Sequence, residues 1–273
     1  MIDLTINTGV ARQILTGFIR SEVTRVGYSR VVIGLSGGID SALSYALAVE
    51  ALGAENVLAV RMPYRASSPE SLQHAELLIE QFETPSKTVE ITDMVEPLFA
   101  RDPEITKQRK GNIMARQRMI VLYDQSEAFK GLVIGTSNKT EILLGYSTLW
   151  GDMASALNPI GDLYKTQVRQ LARALGIPPV IVEKAPSADL WLGQTDEGEL
   201  GFTYEQVDRL LFLLIDQRYS PKECTQEGFE EAFVQSVLGR VRRSQFKRMM
   251  PIIAKISNRT MGYDFLYLRD WGT

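Results

Sequence analysis

The run from Val31 to Ala42, VVIGLSGGIDSA, constrains the fold more than any other part of the chain. Val31 to Leu35 is apolar and β-branched enough for a buried strand, Ser36-Gly37-Gly38 is a tight turn, and Asp40 opens a helical pattern. A strand, a glycine turn and a helix in direct succession form the first unit of a parallel α/β sheet. The same stretch suits phosphate, because glycines let the main chain approach a ligand and the first amides of a helix favour an anion. A Walker A loop needs a lysine after its last glycine, and a dinucleotide fingerprint needs Gly-x-Gly-x-x-Gly; neither is present. These residues alone leave open which cation faces the phosphates.

Helical spacing covers Ala11 to Val26, and after the Val31–Leu35 strand a helix is expected from about Asp40 to Leu52. A strand at Val57–Arg61, a helix from Pro69 to about Phe82 and a strand near Lys87–Ile91 follow. A long helix from Ile105 to about Tyr123 then leads to a fourth strand, Gly131–Gly135. Beyond Thr136 the pattern is mostly helical, clearest at 166–175, 204–216 and 228–242. The expected class is therefore α/β, a doubly wound parallel sheet with helices on both faces and a helical C-terminal part, in one domain over 1–273. In strand order 3-2-1-4, ligands lie beyond the carboxyl ends of the first and fourth strands. Ser36–Ser41 would then face Thr136-Ser137-Asn138-Lys139-Thr140-Glu141.

With 273 residues, one cysteine, one histidine and a net charge of −3, the chain excludes several kinds of chemistry. No disulfide or thiolate cluster can form from Cys224 alone, and His74 lies in an ordinary amphipathic stretch, away from any nucleophile. Proteins that mainly hold nucleic acid need a positive excess, so no nucleic-acid partner is expected. The basic strip Arg240–Arg248 reads as a solvated helix face. No apolar run approaches the roughly 18–20 residues needed to cross a bilayer, and no signal pattern opens the chain, so a cytoplasmic protein without membrane contact is expected.

Asp40 is the oddity in the loop. A carboxylate beside phosphate is repulsive unless a cation intervenes, and magnesium favours one or two carboxylates together with phosphate oxygens. Glu141, across the same crevice, supplies a second carboxylate. The alternative is that Asp40 only stabilises its helix terminus and that Glu141 is a surface residue.

Ser36-Gly37-Gly38-Ile39-Asp40-Ser41 resembles the SGGxDS loop of the PP-loop ATP pyrophosphatases, enzymes that cleave ATP between its α and β phosphates. Further along, Lys110–Met119, Gly135–Glu141, Gly151-Asp152, Asn158–Thr166, Pro186–Leu190 and Gln194–Gly201 are similar, in the same order, to the motifs of the ammonia-dependent NAD synthetase family. The resemblance implies conversion of deamido-NAD to NAD with ATP and ammonia, through an adenylate, releasing AMP and pyrophosphate. It implies that ATP is bound by Gly34, Leu35, Ser36, Gly37, Gly38, Ile39, Asp40 and Ser41, and also by Arg61, Thr136, Lys165 and Ser187. Asp40 and Glu141 match its Mg2+ ligands; Asn112, Arg118, Asp152 and Lys247 match deamido-NAD contacts. Asp40, Asp152 and Lys165 would be catalytic, with Lys165 as the cation that the loop lacks and Asp152 near the ammonia. Residues 183–202 match a segment that closes over ATP, and a homodimer with the dinucleotide at its interface is implied.

Three positions depart from the family pattern. Leu149 stands where a lysine is usual, Ala156 where an aspartate is, and Phe246-Lys247 where a His-Lys pair is. All three concern the dinucleotide, so ATP activation is the better supported half. No glutaminase portion fits this length; glutamine nitrogen would have to come through a separate glutaminase. The competing readings are another PP-loop adenylating ligase, an RNA thiolase, or a non-catalytic nucleotide-binding module. The thiolase lacks its paired cysteines here, and a mere sensor need not keep Asp40, Glu141 and Lys165 together.

Overall fold

The computed structural model describes residues 2–187, 191, 194–262 and 264. The chain enters through α1 (Thr8–Arg25) and then alternates: β1 (Val31–Gly34), α2 (Ile39–Leu52), β2 (Val57–Arg61), α3 (Pro69–Phe82), β3 (Ser86–Thr88). Two consecutive helices, α4 (Thr92–Phe99) and α5 (Lys107–Phe129), precede β4 (Leu132–Ile134). All pairings are parallel and the order is β3-β2-β1-β4, with Val31 of β1 level with Val57 of β2 and Leu132 of β4. The expected doubly wound sheet and its strand order are therefore observed.

Strand alternation sorts the core. Val31, Ile33, Val57 and Ala59 point to the face covered by α1, α2 and α3, whereas Val32, Leu58 and Val60 meet Val95 and Phe99 of α4 and Met114 and Val121 of α5. β1 is buried from Val31 to Ile33 because both neighbours and both faces cover it.

α5 runs on to Phe129, past the expected end near Tyr123, and β3 and α4 also differ from expectation. β3 lies at 86–88 instead of 87–91, an exposed edge strand that needs only one partner; the ladder to β2 continues through Val89 N–H to the Arg61 carbonyl at 2.9 Å. α4 carries no helical signal in the sequence, since Pro97 lies inside an eight-residue helix and proline is a helix breaker.

Beyond β4 the chain is helical: α6 (Lys139–Leu144), α7 (Lys165–Ala174), α8 (Pro179–Val182), α9 (Asp196–Leu200), α10 (Tyr204–Leu211), α11 (Pro221–Gln226) and α12 (Glu231–Arg243). α7 and α8 complete the sheet-side core through Val168, Leu171 and Ile181. α6, α10, α11 and α12 build a separate cluster around Tyr204, Val207, Leu210, Cys224, Val234 and Val237. The helix expected over 204–216 closes with a π-turn at Phe212–Asp216. That turn delivers Asp216 to the phenol of Tyr164 and the ammonium of Lys139, each at 2.8 Å.

Candidate active site

A cavity of about 860 Å³ opens at the carboxyl ends of β1 and β4. The turn after β1 forms one wall. Gly37 has φ +78°, and a Cβ there would lie 2.0 Å from the Ser71 carbonyl oxygen, so both conformation and packing against α3 require glycine. No side chain caps α2, whose N-cap is Gly38; its first amides face the cavity region with their dipole intact. Ser41 Oγ donates to the Gly38 carbonyl at 2.9 Å and lies 3.1 Å from Ser36 Oγ, which pins the turn around those amides.

The facing wall is the start of α6. Asn138 caps it, receiving the Glu141 N–H at 3.0 Å in a capping box, and its side-chain amide donates to Asp40 Oδ1 at 2.9 Å. Lys165, first residue of α7, is 2 % exposed and joins the two walls: its ammonium bonds Asp40 Oδ2, and Glu141 Oε1 at 3.1 Å. Burial works to lower the Lys165 pKa, but Asp40 and Glu141 hold it above the ordinary lysine value. Burial pushes Glu141 up to about 8; Lys165 opposes the shift and Asp40 and Asp196 add to it.

Behind the site lies a layer that the sequence reading did not single out. Asp208 of α10, fully buried, accepts the Thr140 hydroxyl at 2.6 Å and the Thr166 N–H at 2.8 Å, and Thr140 Oγ1 in turn accepts the Lys165 N–H at 3.0 Å. Asp196 at the start of α9 accepts from Tyr204 at 3.0 Å and Tyr146 at 3.2 Å, and lies within electrostatic reach of Lys165. Thr140, Thr166 and Asp196 fall inside the motifs at 135–141, 158–166 and 194–201, and Asn138 carries a further signal in its Asn-x-x-Glu capping box. Asp208 falls in an amphipathic helix whose periodicity hides one inward carboxylate.

Thr136 and Ser187 line the cavity with the loop, as do Asn112, Arg118, Asp152 and Lys247. Arg118 Nε donates to the Met62 carbonyl at 3.1 Å, and Asn112 accepts the Thr148 hydroxyl at 2.8 Å. The Thr148 N–H donates to Asp152 Oδ1 at 2.7 Å; burial raises the Asp152 pKa against that bond and the charge of Lys247. Lys247 donates to the carbonyls of Gly145 at 2.7 Å and Ser147 at 2.6 Å, and burial lowers its pKa. Arg61 is not brought in: its guanidinium pairs with Glu76 of α3 and the residue is not part of the cavity wall. Within the expected closing segment, Pro186, Ser187, Trp191 and Gln194 line the cavity and Asp196–Leu200 is helical. Ala188, Asp189, Leu190, Leu192 and Gly193 lie outside the described residues.

Residues 11–251 match the family model described as NAD synthase. A protein of Trichlorobacter lovleyi named NH(3)-dependent NAD(+) synthetase is 56% identical over 272 residues, covering 100% of both chains. One of the same name from Chlorobium phaeovibrioides is 58% identical over 269 residues, 98% of this chain and 97% of the other. Among solved structures, the NMN synthetase from Francisella tularensis superposes with a TM-score of 0.81 at 33% identity, covering 92% of this chain and 99% of that one. The NH3-dependent NAD synthetase from Campylobacter jejuni, in complex with the nitrate ion, gives 0.78 at 33% identity, covering 92% and 100%.

Proposed function

The chain belongs to the NAD synthase family and catalyses the ATP-dependent amidation of deamido-NAD with ammonia, and we propose that the cavity between the Ser36–Ser41 turn and the start of α6 performs it. The observation that carries this assignment of the site is the convergence of Asp40, Glu141 and Lys165, from three separate elements, beside an uncapped glycine turn.

In the first half-reaction a nicotinate carboxylate oxygen of deamido-NAD bonds to the α phosphorus of ATP. The α–β bridging P–O bond breaks and pyrophosphate leaves. In the second, ammonia bonds to the acyl carbon, the bond to the AMP oxygen breaks, and the surplus proton passes to a base. The substrate is its own nucleophile, so the protein has to supply position and charge neutralisation. The Ser36–Ser41 amides and hydroxyls receive the departing pyrophosphate, with Gly34, Leu35, Gly37, Gly38 and Ile39 shaping that turn. Lys165 holds Asp40 and Glu141 in register across the cavity, Thr136 and Ser187 meet ATP, and Asn112, Arg118 and Lys247 meet deamido-NAD. Asp152, whose raised pKa makes it a better proton acceptor than an ordinary carboxylate, takes up the proton. Arg61 reaches ATP only if it leaves Glu76.

Asp40 and Glu141 suit magnesium, since they are adjacent hard oxygen ligands and, with Asp196, outnumber the single ammonium of Lys165. Among the described residues no cluster of three or more His, Cys, Asp or Glu side chains is arranged to hold a metal, so phosphate oxygens and water would complete the coordination. Bound there, the ion would neutralise phosphate charge.

We extend the reading to a single catalytic domain in the cytoplasm; among the described residues no helix is long and apolar enough to cross a membrane. A homodimer is supported by exposed apolar side chains on the adjacent helices α4 and α5, Met94, Leu98, Ile120 and Tyr123, and sedimentation velocity at micromolar protein distinguishes it from a monomer. Where glutamine is the nitrogen source, a separate glutaminase releases the ammonia: Cys224 is buried in α11 and the only histidine, His74, is buried in α3. The decisive assay incubates the pure protein with ATP, Mg2+, ammonium and deamido-NAD. Equimolar NAD and AMP are expected, and ADP as the product overturns the reading.

A further inference from the structure

Lys165 cannot be the whole answer to phosphate charge. Its ammonium is already engaged by Asp40 and Glu141, with Asp196 a third carboxyl within electrostatic reach, so little of its charge is left for a ligand. A divalent cation bound there would offset part of the charge of a pyrophosphate and leave the rest to main-chain dipoles.

On the other side of the turn stands Lys184. It lines the same cavity, is 21% exposed at its side chain, and its Nζ donates to Ser71 Oγ at 3.0 Å. Ser71 is the residue whose carbonyl abuts Gly37, so the ammonium is anchored beside the turn and within the same cavity. Its acidic neighbour Glu70 is 3.6 Å away, beyond hydrogen-bonding distance, and 58% exposed, a weak screened pair that an arriving phosphate can outcompete. We propose that Lys184 is a second phosphate-facing cation, binding the β and γ phosphates of ATP and the pyrophosphate that leaves, opposite Lys165.

The inference rests on the placement of ATP proposed above. Its probe is inorganic pyrophosphate with Mg2+, titrated calorimetrically into the full-length protein, with AMP as the control ligand that lacks the β and γ phosphates. K184Q is expected to weaken pyrophosphate binding about tenfold, to leave AMP within about twofold, and to raise the KM for ATP more than it lowers kcat. K184R restores pyrophosphate binding to within about threefold of the parent. Unchanged pyrophosphate binding in K184Q overturns the proposal. Equal loss of pyrophosphate and AMP also overturns it, because that marks Lys184 as a strap for the following segment and not a phosphate ligand. If the parent protein makes no NAD from ATP, the functional reading itself falls; if it does and K184Q binds pyrophosphate normally, only this inference falls.

Discussion

Glu141 shows how a single carboxyl can couple pH to the state of the site. Its pKa is raised from 4.5 to about 8 by burial, with Asp40 and Asp196 adding to the shift and Lys165 opposing it. Between those values the unfolded chain is ionised at this residue while the folded protein keeps the proton, so the native state binds more protons and metal-free stability falls as pH rises through that window. Thermal melts in chelator should show a Tm that declines from about pH 5 to 8, and the decline should shrink in E141Q. A parent profile rising over this range would refute the assignment. Asp40 and Glu141 were legible in the sequence because a carboxylate beside a phosphate turn demands a cation. Asp208 was not: nothing in the periodicity of residues 204–211 distinguishes a carboxylate facing inward from one facing water.

At the level of elements, the turn after β1 depends on α3 as much as on its own glycines. The Gly37 requirement joins positive φ to a 2.0 Å approach by the Ser71 carbonyl, and Ser71 belongs to a different βα unit. G37A should lower stability by about 1–3 kcal/mol from backbone strain alone, and raise the KM for ATP by displacing the turn; a chemical melt and steady-state kinetics check both. The strand–turn–helix was readable from residues 31–42, because glycine placement and strand burial agree there. The helix at 92–99 and the exact extent of the edge strand were not, since proline inside a short helix and an exposed strand of Ser86, Lys87 and Thr88 both contradict local preference. Tertiary packing of Val95 and Phe99 against the sheet overrides it.

Across the whole molecule, the proposed active site lies on a seam. The phosphate turn and α7 belong to the core beside the sheet, whereas Leu144 of α6 and Leu210 of α10 belong to the helical cluster. Asp208 stitches the two by holding Thr140 at one side and the Thr166 amide at the other. D208A leaves the buried Thr140 hydroxyl and the partly buried Thr166 N–H without that acceptor, at a cost of about 1–3 kcal/mol for the hydroxyl, and should lower kcat more than tenfold while D208N keeps most of it. Wild-type kcat in folded D208A would show that the stitch serves stability alone. Sequence patterning showed a sheet followed by helices, but not that the two would share one set of candidate catalytic side chains, since contacts between residues 140, 166 and 208 follow from topology and not from local spacing. The consequence concerns how such an enzyme fails. With its halves rooted in different cores, loosening either one silences the chemistry while most of the helices persist. Activity is thus an earlier and more sensitive gauge of damage than any measure of secondary structure.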